Sequence, residues 1–171
     1  MSKPPKKVTT VRCACGSVEV EARGEPIMTT ACYCDDCQEG ARRIEALPDA
    51  RPVLSPDGGT EYVLYRKDRV RCEKGAELLR PHKLQEKSVS HRVVATCCNT
   101  AMFLGFDRGP HWVSVYRARF QPPAPPVEAR VQTKFKPASV TLPTDVPSYP
   151  GYPLGFMVKL VGAQVAMWLG R

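Results

Sequence analysis

The sequence predicts a mainly β domain with an apolar helix appended at its C-terminus, and three observations lead there. Short segments alternate apolar and polar residues or concentrate β-branched and aromatic ones. Gly- and Pro-containing turns separate them. The last residues form an apolar run with only Lys159 and Gln164 strongly polar between Phe156 and Leu169.

Each expected element has its own reason. In "SVEVEAR", Val18, Val20 and Ala22 alternate with Glu19, Glu21 and Arg23, the period of a half-buried strand. "EYVLY" (61–65), "SVSHRVVAT" (88–96) and "HWVSVYRARF" (111–120) read as further strands. Turns are expected at Gly24-Glu25-Pro26, Pro56-Asp57-Gly58-Gly59 and Arg108-Gly109-Pro110. "KGAELLRPH" (74–82) looks briefly helical, with Pro81 as its stop. The β domain is placed at residues 8–120. The proline density of "QPPAPPVEAR" then predicts an extended spacer over 121–153. Residues 154–171 are expected as a helix docked on its own domain or on a second copy in a homodimer. It is too short and too interrupted by Lys159 for a membrane span. Peripheral membrane contact, with Trp168 at the interface, is the alternative.

Length and charge narrow the classes. A chain of 171 residues can bury a core without cross-links. "MSKPPKKVTT" has no apolar core of a secretory signal, so a reducing cytoplasmic setting is expected. The net charge of +8 is scattered rather than blocked, which favours a solvated surface over a polyanion-binding tail. Nucleic acid therefore ranks as a weaker partner.

Eight cysteines carry the chemistry. Cys13 and Cys15 form C-x-C-Gly, while Cys32, Cys34 and Cys37 form C-x-C-x-x-C. Cys97 and Cys98 are a late adjacent pair. Closely spaced thiols let one turn present several sulfurs to a tetrahedral ion. A redox disulfide and inert packing are the competing readings for Cys32, Cys34 and Cys37. The interleaved Tyr33, Asp35, Asp36 and Gln38 read as loop and favour metal. Cys72 stands alone and is expected in the core. His82, His91 and His111 show no paired ligand spacing.

In this order the motifs resemble the glutathione-dependent formaldehyde-activating (GFA) family, which includes the centromere-protein-V-like proteins. The resemblance covers roughly residues 8–118. It implies an Mss4-like zinc-binding β fold with two Zn²⁺ sites. One is structural, with Cys13, Cys15 and late cysteines; the other is a catalytic zinc on Cys32, Cys34 and Cys37. It also implies a carbon–sulfur lyase acting on a thiol–aldehyde adduct such as S-hydroxymethylglutathione, with glutathione or another small thiol as partner. The alternative is a non-catalytic zinc module that binds nucleic acid or a protein. The late knuckle departs from the family's C-x-x-C-Gly: Cys98 takes the second ligand position, Ala95 falls on the first, and Cys97 is its substitute. Adjacent strand residues face opposite ways, so Cys97 and Cys98 can share an ion only if the backbone turns there, a turn that Asn99 tolerates. An anionic thiol such as glutathione would need a cation, for which Arg42 and Arg43 are the nearest candidates in sequence.

Overall fold

The computed structural model describes residues 7–170. Ten strands form two sheets, and two helices join them. A three-stranded sheet has the order β1 (Val8–Arg12), β2 (Glu19–Arg23) and β5 (Val70–Lys74). A seven-stranded sheet runs β10 (Ala129–Val131), β3 (Met28–Cys32), β4 (Thr60–Arg66), β9 (Trp112–Tyr116), β8 (Thr100–Phe106), β7 (Ser90–Ala95) and β6 (Leu79–His82). Neighbours are antiparallel throughout except β10 on β3, which is parallel.

The larger sheet is covered on both faces, and β4 shows how. Tyr62 and Leu64 point to one side, into a core with Met28, Ile44, Val94 and Tyr116. Val63 and Tyr65 point to the other, into a core with Val11, Val20, Met102 and Val115 that the small sheet closes. A strand buried on both faces carries an unbroken apolar run, and "YVLY" is that run. On β8 the register slips where Val93 faces Phe103 and Val94 faces Ala101, leaving Met102 as an extra residue. This bulge puts Ala101 and Leu104 in the first core although three positions separate them.

Three expectations change here. Residues 35–45, read as loop, form helix α1 (Asp35–Glu45). Its buried side is Cys37, Gln38, Gly40, Ala41 and Ile44, a helical stripe that the neighbouring charges hide. The expected spacer at 121–153 is also built into the domain. β10 pairs with β3 in the register Ala129–Thr30, Arg130–Ala31 and Val131–Cys32, and the chain returns so that Tyr149 N–H donates to Arg130 O at 2.8 Å. Prolines before and after this short strand leave its own N–H groups free to pair, so an edge strand fits between them. Residues 74–82 are likewise not a helix but a 3₁₀ turn over Ala76–Leu78 and strand β6, whose edge position accommodates Pro81.

Gly75 links β5 to that turn with φ 73°. A Cβ there would lie 2.4 Å from the Ser17 carbonyl oxygen, which is backbone and cannot rotate away. Gly75→Ala is therefore expected to destabilise the fold by roughly 2–4 kcal/mol through strain and overpacking, read as a lowered urea midpoint with unchanged slope.

The C-terminal helix α2 (Leu154–Trp168) docks on its own domain through Leu160 and Phe156. Lys159 is held by Glu128 at 2.6 Å. Val158, Val161, Trp168 and Leu169 remain exposed. No helix among the described residues is long and apolar enough to cross a membrane.

Candidate metal centre and thiol pocket

Folding gathers seven of the eight cysteines into two clusters, each with its sulfurs within 4.8 Å of one another. Cys13, Cys15, Cys97 and Cys98 form one, and Cys32, Cys34 and Cys37 the other. All are free thiols. Cys72 joins neither; half-buried, it packs at the margin of the inter-sheet core. No histidine joins either cluster among the described residues. His111 is buried at the sheet edge, where desolvation lowers its basicity.

The four-thiol cluster is made by two turns facing each other. After β1 the chain folds back, with Gly16 N–H donating to Cys13 O at 3.1 Å and Gly16 at φ 76°. Val18 N–H donates to the Cys13 sulfur at 3.3 Å, which fixes that sulfur's place in the turn. The opposing turn joins β7 to β8. Asn99 adopts φ 47°, so the backbone reverses where the two adjacent cysteines stand and both sulfurs reach the cluster. Ala95 stays wholly buried in β7, outside it. Sulfur separations are 3.6 Å for Cys13–Cys15, 3.7 Å for Cys13–Cys97, 3.4 Å for Cys15–Cys97 and 3.8 Å for Cys97–Cys98. Four thiolates around zinc at about 2.3 Å would stand about 3.8 Å apart, whereas a disulfide needs about 2.05 Å. The donor set fits a tetrahedral metal ion. The Cys15 thiol is shifted down to about 6, first by the Ser17 hydroxyl, so deprotonation for a metal is already favoured.

The three-thiol cluster lies at the junction of β3 and α1. Cys32 ends the strand, Cys34 is the helix N-cap, and Cys37 sits in the first turn facing inward. The Cys34 carbonyl accepts from Cys37 N–H at 3.0 Å and Gln38 N–H at 3.1 Å. The Gln38 side chain donates to Tyr33 O at 2.6 Å and Phe135 O at 2.8 Å, locking this turn to the C-terminal segment. Hydrogen bonds from Cys32 and Cys37 draw the Cys34 thiol far below its usual range, and the charge of Arg92 adds to this. Its neighbours move the other way, first because their thiols donate hydrogen bonds within the cluster, then through burial and the repulsion of thiolates set so close. A bound cation would relieve that repulsion, and three sulfurs leave one tetrahedral position for an outside donor.

Sequence reasoning missed three groups here. Arg92, on β7, is 2% exposed, and only its Nη2 finds a partner, donating to Asp36 O at 2.6 Å. Its Nε and Nη1 are buried without a hydrogen-bond partner among the described residues. A guanidinium left so is balanced by the negative sulfur cluster it faces. The expected cations do not serve: Arg42 and Arg43 lie on the solvent side of α1, paired with Glu39 at 3.6 and 2.7 Å. The other two groups are tyrosines. Tyr62 O–H donates to the Cys37 sulfur at 3.8 Å, and the half-exposed Tyr152 lines the same cavity as Cys32. Burial first, then the thiols, pushes both phenols upward, so each keeps its proton. Sequence offered no signal for these three, since each is remote along the chain from the thiols it meets.

Cys32 and Cys37 also form one wall of a cavity of about 330 Å³. Leu64 and Leu104 floor it, Phe106 and Trp112 stand at the sheet edge, and Phe156 and Leu160 of α2 roof it.

The model of the family described as "Glutathione-dependent formaldehyde-activating enzyme" (GFA) matches residues 8–46, the stretch holding Cys13, Cys15, Cys32, Cys34 and Cys37. The chain is similar to that family over this stretch. No curated protein matches it. A crystal structure of a Rhodobacter sphaeroides protein from structural genomics is similar at 18% identity, covering 81% of this chain and 98% of its own, with a TM-score of 0.48. The late pair Cys97–Cys98 and the pocket roof lie outside the matched stretch.

Proposed function

We propose that the protein is a zinc-dependent carbon–sulfur lyase acting on thiol–aldehyde adducts, such as the hydroxymethyl adduct of a small thiol. Cys13, Cys15, Cys97 and Cys98 hold a structural ion, and Cys32, Cys34 and Cys37 a working one. The observation that carries the reading is a donor set one short of four whose two buried sulfurs, Cys32 and Cys37, line a cavity.

When bound, zinc would supply Lewis acidity that keeps an additional sulfur in its thiolate form at neutral pH. The chain's own groups do the rest. The cavity holds the adduct and excludes bulk water. Arg92 offsets the negative charge of the sulfur cluster. In the lyase direction the carbon–sulfur bond breaks with its electron pair passing to sulfur. The adduct hydroxyl hands its proton to Tyr152 as the carbonyl forms, replacing the one Tyr152 gives to the departing sulfur, so thiol and aldehyde leave and no oxidant or reductant is needed. Tyr152 keeps a proton on its hydroxyl beside Cys32, where the departing sulfur can accept it.

The test is proton NMR of formaldehyde exchanging with its thiol adduct, for metal-replete protein, chelated protein and Cys34→Ser. Exchange is expected to accelerate only with the replete wild type, and Tyr152→Phe should slow it about 10–100-fold. No metal-dependent change with glutathione or other small thiols would overturn the reading. Oligonucleotide binding falling steeply with salt would then favour a binding module instead.

A further inference from the structure

The cavity beside Cys32 and Cys37 has the wrong chemistry for a charged tripeptide thiol. No Lys, Arg or His side chain lines it. Besides the two thiols and the Trp112 indole N–H, its polar side chains are four uncharged hydroxyls, from Thr30, Ser114, Tyr62 and Tyr152. Opposite them Phe106 and Trp112 meet edge to face, 5.7 Å between ring centres at 68°. The nearby cations stand outside the lining: Arg92 donates through Nη2 to Asp36 O and balances the three-thiol cluster, Arg43 donates to Glu39 and to Leu84 O, and Lys159 is held by Glu128. A carboxylate taken into this space would be buried without a partner, beside sulfurs that are themselves negative. An apolar substituent would meet only favourable surface, and the volume is at the low end of small-molecule pockets.

We infer that this cavity takes the apolar substituent of a thiol or thiol adduct, an aryl or short alkyl group, and discriminates against anionic thiols such as glutathione. The assignment rests on the lyase reading for the position of the sulfur, at the open side of the three-thiol cluster. The substituent then lies along Leu64 and Leu104 toward Trp112, under Phe156 and Leu160. α2 thereby becomes a specificity element, since its inward residues supply the roof. Met157 marks the rim, lining the cavity while remaining 46% exposed.

The experiment uses the metal-replete full chain carrying Trp168→Phe, which leaves Trp112 as the single indole of the two in the sequence. Emission is titrated with phenylmethanethiol and with glutathione. Half-saturation by phenylmethanethiol is expected at a concentration about thirtyfold lower, from burial of the phenyl group. Met157→Arg, at an exposed helical position, should narrow that ratio by about fivefold by offering a cation to glutathione. Glutathione binding as tightly as phenylmethanethiol, or neither thiol perturbing Trp112, overturns the assignment. Adduct exchange followed by NMR in the same samples separates the two ideas. Exchange without binding preference leaves the lyase and removes the apolar specificity. Preference without exchange removes the lyase and leaves an apolar-thiol receptor.

Discussion

Cys98→Ser yields a protein carrying one metal equivalent fewer per chain and melting about 10–20 °C lower than the wild type. Losing a structural ion is among the few single changes that exceed about 4–5 kcal/mol, and each kcal/mol moves a domain of this size by about 2–4 °C. The size of the effect follows from what the four-thiol cluster joins. Cys13 and Cys15 belong to the turn between β1 and β2 of the small sheet, and Cys97 and Cys98 to the β7–β8 turn of the large one. A metal bound there would tie the two sheets beside their shared core, against which Cys13 and Cys98 already pack. Without it the Cys13 sulfur would keep only the Val18 N–H and thiol neighbours. Elemental analysis and calorimetry on freshly reduced protein check this. Cys97→Ser should lose the same equivalent, whereas Cys72→Ser should keep both ions and most of the stability. A Cys98→Ser chain with unchanged metal content removes the cluster as a metal site.

The second large effect is expected at Arg92. Arg92→Met keeps most of the buried volume and removes the charge, so it should weaken metal affinity at the three-thiol site by about 10–100-fold, as loss of a group supporting the ligands does elsewhere. Competition with a chelator of known affinity measures it. Arg92→Lys restores a positive charge and should recover part of the affinity, although not the bond to Asp36 O in its present geometry. A purely packing role would lower the melting point of Arg92→Met and leave metal affinity alone, which is the outcome that counts against the assignment. Gly40 makes the same point from the facing helix. A Cβ there would lie 2.3 Å from Arg92 Nε, so Gly40→Ala must displace the guanidinium and should weaken the same site.

Much of the strand framework was legible because period-two alternation is local. β2, β7 and β9 fall within the segments marked in the sequence, and β4 extends one residue beyond "EYVLY" at each end. α1 was not, because Asp35, Asp36, Glu39, Arg42 and Arg43 dominate its composition. Its N-cap is Cys34, whose side chain makes no capping bond, rather than a Ser, Thr, Asp or Asn that announces a start. The thiols were visible by spacing, and the adjacent Cys97–Cys98 pair works through the left-handed Asn99, a conformation its side chain permits. Arg92, Tyr62 and Tyr152 were invisible for a different reason. They meet the cluster only because β7 faces α1, β4 pairs with β3, and the chain after β10 returns beside it. No local pattern encodes such pairings.

The parallel strand β10 ends with Val131 beside Cys32, and the chain beyond it supplies Tyr152 and the helix over the pocket. All seven clustered sulfurs and the Arg92 guanidinium thus lie at or before residue 98, while one side of the pocket, Tyr152, Phe156, Met157 and Leu160, comes from the tail. Selection can therefore retailor what the molecule accepts by altering residues 152–160, leaving the ion-holding half untouched. Divergence among such proteins should accumulate in that tail first.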